Sequence, residues 1–185
     1  MHRSKLLNLL EVYERTYPEE SDTVQRFAEF ARNHERCFER DCWAGHITGS
    51  AWLVNQSSSH VLLTHHRKLD KWLQLGGHSD GDCDPTAVAL REAQEESGLK
   101  VVLVQAAVFD IDLHEIPARK SDPAHFHYDL RFALRTRTSD EFRVSDESSD
   151  LAWVPVADLS RCTHELSMLR MAEKWSRLSN RHSPR

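Results

Sequence analysis

The most informative segment of this chain is Gly76-Gly77-His-Ser-Asp-Gly-Asp-Cys83-Asp84-Pro85-Thr-Ala-Val-Ala-Leu-Arg91-Glu92-Ala-Gln-Glu95-Glu96-Ser-Gly98-Leu99. The three glutamates near its end share one helix face, because they are spaced by three and four residues. Like charges at this spacing cost roughly 0.2–0.5 kcal/mol, and the helix dipole disfavours anions near a C-terminus. A bound divalent cation would offset both effects, since Mg²⁺ takes carboxylate oxygens and keeps several waters. The stretch therefore predicts a metal site.

The ends of this predicted helix are also marked in the sequence. Asp84 is a suitable N-cap before Pro85 at the first helical position, and Gly98 suits the left-handed residue after the last turn. The glutamates could instead form a solvated surface, as runs of Glu often do. We favour the metal site because the helix has defined ends and the glycine pair Gly76-Gly77 precedes it.

At these residues the chain resembles the Nudix hydrolases, in a bacterial-type form with an N-terminal helical extension. Their signature runs Gly, five residues, Glu, seven residues, Arg-Glu, two residues, Glu-Glu, one residue, Gly and an aliphatic residue. The fixed positions that match in register are Gly77, Arg91, Glu92, Glu95, Glu96, Gly98 and Leu99. With flanking strand-like segments, the resemblance extends over roughly residues 47–178. It implies an α/β fold, the Nudix-type α/β/α sandwich with a mixed sheet.

The resemblance also implies pyrophosphate hydrolysis with Mg²⁺ or Mn²⁺, on a nucleoside diphosphate linked to another group. Glu95 and Glu96 correspond to metal-ligand glutamates, and the carbonyl of Gly76 corresponds to a backbone ligand. Glu92 corresponds to a residue that binds a second metal or that orients and deprotonates water. Arg91 corresponds to an ion-pairing residue that joins the loop to the helix. The variable group of the substrate is not encoded in the motif.

One fixed position of the signature departs from the family, because Cys83 stands where the first Glu is expected. A thiol is a poor acceptor for the guanidinium of Arg91. Asp82 and Asp84 flank the cysteine, and we favour Asp82 as the substitute because Asp84 is expected to cap the helix. Gly77 and Gly98 are expected at backbone turns. The alternative is a Nudix-fold protein that binds a nucleotide ligand as a regulator without hydrolysing it; an isomerase acting on a prenyl diphosphate ranks third.

Histidine is unusually frequent, with twelve residues in the chain. His125, His127 and Asp129 alternate along a predicted strand, so their side chains share one face. This pattern fits a transition-metal site, and it also fits a polar cleft that binds substrate. We favour the cleft, with His125 and His127 as substrate-binding residues.

Other candidate site residues lie in loops. His78 directly follows the glycine pair, Arg119 lies in the loop before the histidine strand beside Lys120, and Glu147 lies in an acidic loop. His78 is proposed to face the metal site. Arg119 and Lys120 could meet phosphate, although such a loop pair is more often solvated. Glu147 could supply a further acid, and a solvated acidic turn is equally expected there. A zinc site at His34, Cys37, Cys42 and His46 is less favoured, because structural zinc sites usually join two pairs separated by a dozen or more residues.

Composition favours an ordinary soluble enzyme. The chain has 185 residues, 39% hydrophobic and 29% charged, with a net charge of −5. We expect no nucleic-acid partner, no membrane span and no signal peptide. Four unevenly spaced cysteines do not predict a disulfide framework. We therefore expect a cytoplasmic protein, and the resemblance allows a homodimer.

Hydrophobic periodicity divides the chain into elements. We expect an N-terminal helical extension over residues 1–45 packed on a Nudix hydrolase domain over 46–178, with a flexible tail over 179–185. Predicted helices outside the motif cover 4–15, 22–33 and 164–178. Predicted strands cover 47–55, 61–65, 72–75, 126–135 and 151–154, with 101–113 as one long strand or two broken ones. Ser21 is expected to cap the second helix.

Overall fold

A computed structural model describes residues 2–66, 70–119, 122–143 and 150–182 of the chain. The α-helices are α1 (Ser4–Thr16), α2 (Ser21–Asn33), α3 (Pro85–Ser97) and α4 (Leu166–His182). The strands are β1 (His46–Val54), β2 (His60–His66), β3 (Lys71–Leu73), β4 (Leu75–His78), β5 (Val101–Leu103), β6 (Asp110–Ile116), β7 (His125–Thr136) and β8 (Leu151–Pro155). Short 3₁₀ helices cover Pro18–Glu20 and Val156–Arg161.

The predicted elements are confirmed in type and order, with three corrections. Of the two alternatives for 101–113, the structure has two strands, β5 and most of β6. The segment predicted as one strand at 72–75 contains the end of β3 and the start of β4. The closing helix continues past Leu178 to His182. The prediction that Ser21 caps α2 was wrong, because Ser21 is the first helical residue and its hydroxyl donates to Glu14.

Eight strands form a mixed sheet flanked by helices, which confirms the predicted α/β Nudix-type fold. The strand order is β3-β2-β1-β7-β5, and β4 pairs with β1, β6 with β7 and β8 with β2. Strand β6 pairs with β7 from Asp110 opposite Arg131 to Ile116 opposite His125. This ladder is antiparallel, so it aligns the histidines of the two strands.

The chain divides into two compact units. The first comprises Met1–Ser50, Gly76–Ala89 and Gln105–Phe132, and the second comprises Ala51–Leu75, Leu90–Val104 and Ala133–Arg185. Strands β1 and β7 and helix α3 each contribute residues to both units. The boundaries predicted after residues 45 and 178 stay predictions.

In the first unit, the N-terminal helices pack on the histidine strand. Phe30 of α2 stacks on Tyr128 of β7 with ring centroids 3.9 Å apart, and Phe27 meets the same ring edge-on. Leu6 and Leu10 of α1 are fully buried. Burial of each such side chain contributes about 1.5–3 kcal/mol. The extension is therefore an integral part of this unit.

In the second unit, β2 lies between β3 and β8. Its ladder with β8 runs from His60 opposite Pro155 to Thr64 opposite Leu151. Helix α4 buries Met168 and Met171, and the indole N–H of Trp175 donates to the carbonyl of Ser58 at 3.1 Å. None of the helices that the structure describes is long and apolar enough to cross a membrane.

Candidate functional site

Helix α3 has the ends that the sequence predicts. An Asp84 carboxylate oxygen accepts the N–H of Thr86 at 3.1 Å, and the Asp84 carbonyl accepts the N–H of Val88. Burial would raise the pKa of Asp84, but the hydrogen bond and charge of Lys5 and the helix N–H groups lower it below its ordinary value. At the other end, Gly98 has φ +69° and its N–H donates to Gln94 at 2.8 Å. The predicted cap and left-handed stop are confirmed.

The glutamates of α3 form a carboxylate face, defined here as Glu92, Glu95 and Glu96. Arg91 donates to Glu92 at 2.9 Å and lies 3.9 Å from Glu95. The Glu92 side chain is 17% exposed and that of Glu95 is 63% exposed, so the face grades from sheltered to open. Two of the three carboxylates, those of Glu92 and Glu95, contact the Arg91 guanidinium. Such hard oxygen donors suit Mg²⁺ or Mn²⁺.

In the loop before α3, side chains bond to backbone groups of the same loop. Asp82 accepts the N–H of Asp84 at 2.9 Å, and the Cys83 thiol donates to the carbonyl of Gly81 at 3.5 Å. Burial, and then the charge of Asp82, raise the pKa of Cys83, so this thiol stays protonated at neutral pH. Cys83 therefore supplies no negative charge where the family signature has a carboxylate. Substitution by Asp82 stays a prediction.

The glycine pair on β4 is constrained at its first member. Gly76 has φ +157°, and a Cβ built there would lie 2.7 Å from the Cα of Ser50. A side chain at this position is therefore excluded by both conformation and space. The φ of Gly77 is not positive, so its turn role is not evident in its backbone angle.

A histidine cluster, defined as His46 of β1 with His125 and His127 of β7, lies in the first unit. The Nε2 atoms of His46 and His127 are 3.1 Å apart, and one candidate ligand atom from each of the three residues lies within 4.8 Å of the others. Two further histidines flank the cluster. His78 lies 5.0 Å from the rings of both His46 and His127, and His114 lies 5.4 Å from His127.

The rings of His46, His78 and His127 are held neutral at neutral pH. Burial, followed by repulsion among the rings, lowers the pKa of His46 to about 4 and that of His127 to about 2. Burial and the charge of Arg40 lower the pKa of His78 to about 4, although Asp80 opposes this. Uncharged imidazoles offer lone pairs and are weak partners for anions.

A buried ionic cluster, defined as Arg131 with Asp110, Asp112 and Asp129, adjoins the histidines along β6 and β7. Arg131 is 2% exposed and contacts the three carboxylates at 3.2, 3.2 and 2.8 Å. Burial alone would lower the pKa of Arg131, but the aspartates raise it above its ordinary value. Asp129 also accepts the hydroxyls of Thr48 and Ser50, at 3.0 and 2.7 Å. The polar face predicted for this strand is therefore buried here.

The structure brings together three of the predicted substrate-binding residues and separates others. His78, His125 and His127 meet around His46, whose role there the sequence did not predict.

Arg119 is exposed in the β6–β7 connection, where its backbone pairs with Asp122. Glu147 and Lys120 lie outside the described residues. Among the described residues, the His34, Cys37, Cys42 and His46 set does not form a metal-ligating group; His46 joins β7 instead.

The alternation along β7 was the available signal for this cluster. His46 lies about eighty residues earlier in the chain, so only strand pairing could place it beside His127. No local spacing rule links the two positions.

Comparison with known proteins agrees with the fold. The family model described as NUDIX domain matches residues 46–175. A NUDIX family hydrolase from Clostridium perfringens is 28% identical, with a TM-score of 0.54 over 72% of this chain and 97% of that chain. A C. elegans Ap4A hydrolase is 15% identical, with a TM-score of 0.59 over 72% and 97%. A Nudix hydrolase from M. smegmatis is 16% identical, with a TM-score of 0.55 over 76% and 90%.

The two structures of lower identity show the shared fold alone. The comparison with curated proteins gives no match. The family match nevertheless spans more than half of the chain and includes helix α3 with its carboxylate face. This chain therefore belongs to the Nudix superfamily.

Proposed function

We propose that this Nudix hydrolase cleaves a pyrophosphate bond in a nucleoside diphosphate linked to another group, with Mg²⁺ or Mn²⁺ as its cofactor. The observation that carries the proposal is the carboxylate face of α3, set at a fixed distance from the loop by the Asp84 cap and the Gly98 stop. When bound, the divalent ion would supply charge stabilisation for an anionic phosphoryl transition state.

The helix residues have distinct proposed roles. Glu95 and Glu96 would hold the metal, and their partial exposure leaves them accessible to an ion from solvent. The Gly76 carbonyl as a further ligand stays a prediction. Glu92, sheltered and paired with Arg91, would orient the attacking water or hold a second ion. Arg91 restrains Glu92 and so positions that carboxylate. Water attack at phosphorus would then release the two phosphate-containing products.

Substrate contacts are proposed at His78, Arg119, His125, His127 and Glu147. Arg119 is the exposed cation of this set, so it suits a phosphate oxygen. The neutral rings of His78 and His127 would donate or accept hydrogen bonds without contributing charge. A homodimer and a cytoplasmic location stay predictions.

The proposal is tested by product release from a panel of nucleoside diphosphate sugars, ADP-ribose, dinucleotides and nucleoside triphosphates, including Ap4A. Each compound is assayed with Mg²⁺, with Mn²⁺ and with chelator. Glu96→Gln removes one proposed ligand charge, and Gln94→Ala is the matched control because Gln94 is exposed on the same helix. Turnover that requires metal, survives in Gln94→Ala and falls in Glu96→Gln is the expected result.

The alternative is a ligand-binding regulator, and the feature in its favour is Cys83 in place of the signature carboxylate. Thermal stabilisation by a panel compound without turnover in either metal would support this alternative. The proposal of hydrolysis would then be wrong, and Cys83 would be the first residue to change.

A further inference from the structure

We propose that His46, His125 and His127 bind a transition-metal ion, Zn²⁺ in the first instance, at a site separate in chemistry from the carboxylate face of α3. The inference goes beyond the proposed hydrolysis and does not depend on it. For His125 and His127 it replaces direct contact with substrate by ligation of an ion. It rests on the positions of the three imidazoles, the fixed orientation of one ring and the acidic surroundings of the cluster.

Distances between the ligand atoms fit a zinc ion. Zinc–nitrogen bonds of about 2.0–2.1 Å in tetrahedral geometry place ligand nitrogens about 3.3 Å apart. The Nε2 atoms of His46 and His127 are 3.1 Å apart, and the third ligand atom lies within 4.8 Å of them. Binding would draw the third imidazole closer to the other two. Three histidines leave a fourth position for water or a substrate oxygen, as in catalytic zinc sites.

One ring already has the orientation of a metal ligand. Nδ1–H of His125 donates to the carbonyl of Pro123 at 2.8 Å, which leaves the lone pair on its Nε2. Metal-bound histidines nearly always make such a bond from the other ring nitrogen, because it fixes the tautomer and the ring plane. The flanking His114 makes the equivalent bond to Asp112 at 3.1 Å.

The surroundings also favour a cation over an anion. Three aspartates adjoin one arginine in the buried ionic cluster, so that cluster carries excess negative charge when its carboxylates are ionised. Asp112 contacts both Arg131 and His114, and thus connects the ionic cluster to the flanking histidine. Nitrogen ligands select zinc and related transition metals, whereas Mg²⁺ prefers oxygen.

The test is zinc binding to the full chain after chelator treatment and dialysis, by calorimetric titration in the presence of excess Mg²⁺. We expect the wild-type chain to bind one Zn²⁺. We expect His127→Gln to lose more than about 100-fold in zinc affinity, since even the loss of an outer-sphere partner costs about 10–100-fold. His60→Gln is the matched control, because His60 is a half-buried strand histidine of the other unit. Its zinc affinity is expected to be unchanged.

Folding is checked in each variant by a cooperative thermal transition without zinc. Should His127→Gln fail this check, His125→Gln replaces it, since His125 is bonded to a local carbonyl rather than to a second strand. The proposal is wrong if the wild-type chain binds no zinc. It is also wrong if zinc binding persists in the folded histidine variant, or if only Glu95→Gln removes it.

Inorganic phosphate provides the opposing probe. The zinc-free chain is expected to bind phosphate no better than folded His127→Gln does. Phosphate binding to the zinc-free chain that is lost in His127→Gln would overturn the metal site and establish the substrate cleft that the sequence favoured.

Discussion

The carboxylate face and the histidine cluster are two sets of metal-type donors built in opposite ways. The face comes from five consecutive residues of one helix, offers oxygen atoms and includes a side chain that is 63% exposed. The cluster comes from two strands about eighty residues apart, offers nitrogen atoms and includes His46 at 2% exposure. The first can change with little cost to folding, whereas the second is continuous with buried polar packing.

The largest expected effect is on the buried ionic cluster around Arg131, which adjoins the histidine cluster. Arg131→Met leaves two buried carboxylates and one half-buried carboxylate without their cation, and breaking a buried ion pair from one side costs about 3–5 kcal/mol. We expect the free energy of unfolding in urea to fall by that amount. Arg135→Met, an exposed arginine on the same strand, is the control and is expected to change it by less than about 0.5 kcal/mol. Equal losses in both variants would remove the contrast between buried and exposed charge.

The next largest expected effect is on the carboxylate face of α3. Glu96→Gln removes a proposed metal-ligand charge, and a loss of about 3 kcal/mol in transition-state stabilisation corresponds to a rate reduction of about 100-fold. Metal-dependent kcat measured beside the urea midpoint checks this prediction. The midpoint is expected to hold or rise, because one like-charge repulsion on α3 is relieved. Unfolding of this variant, with no separate effect on kcat, would show that the face is structural.

A third substitution tests which glycine of the pair is constrained by its surroundings. Gly76→Ala introduces a Cβ that would approach the Cα of Ser50 to 2.7 Å at a φ of +157°. Strain and crowding of this kind cost about 2 kcal/mol. Thermal unfolding is expected to shift down accordingly, and Gly77→Ala, where φ is not positive, is expected to shift less. The reverse order would contradict the assignment of the constraint to Gly76.

The smallest expected effect is at Cys83. Partly exposed ion pairs are worth about 1 kcal/mol or less, so Cys83→Glu is expected to change kcat/KM by about fivefold at most. Cys83→Gln, of the same length and without charge, separates the effect of charge from that of size. A gain far above this range in Cys83→Glu alone would show that the native loop is impaired and that no aspartate substitutes.

The same contrast explains how much could be predicted from the sequence. Helix α3, its Asp84 cap and its Gly98 stop follow from local spacing, and the structure confirms them. The Nudix fold is implied by the resemblance to the family, and the family match confirms it. Catalytic and metal roles for Glu92, Glu95 and Glu96 stay predictions, because a structure of the chain alone does not test them.

The histidine cluster and the buried polar face of β7 depend on pairing between strands that are distant in the sequence. His46 was linked by sequence to Cys37 and Cys42, its neighbours in the chain, whereas the sheet places it beside His127. The polar face of β7 is buried because Arg131 meets aspartates from another strand. Period-two alternation predicts which residues share a face, but not which residues of a neighbouring strand lie against it.

The central claim is that the chain has two ion sites of opposite donor chemistry. Equilibrium dialysis against Mn²⁺ and Zn²⁺ together, with wild type, Glu95→Gln and His127→Gln, tests it most directly. We predict that Glu95→Gln loses Mn²⁺ and retains Zn²⁺, and that folded His127→Gln does the reverse. Loss of both ions from either single variant would contradict two separate sites, as would binding of both ions that neither substitution alters.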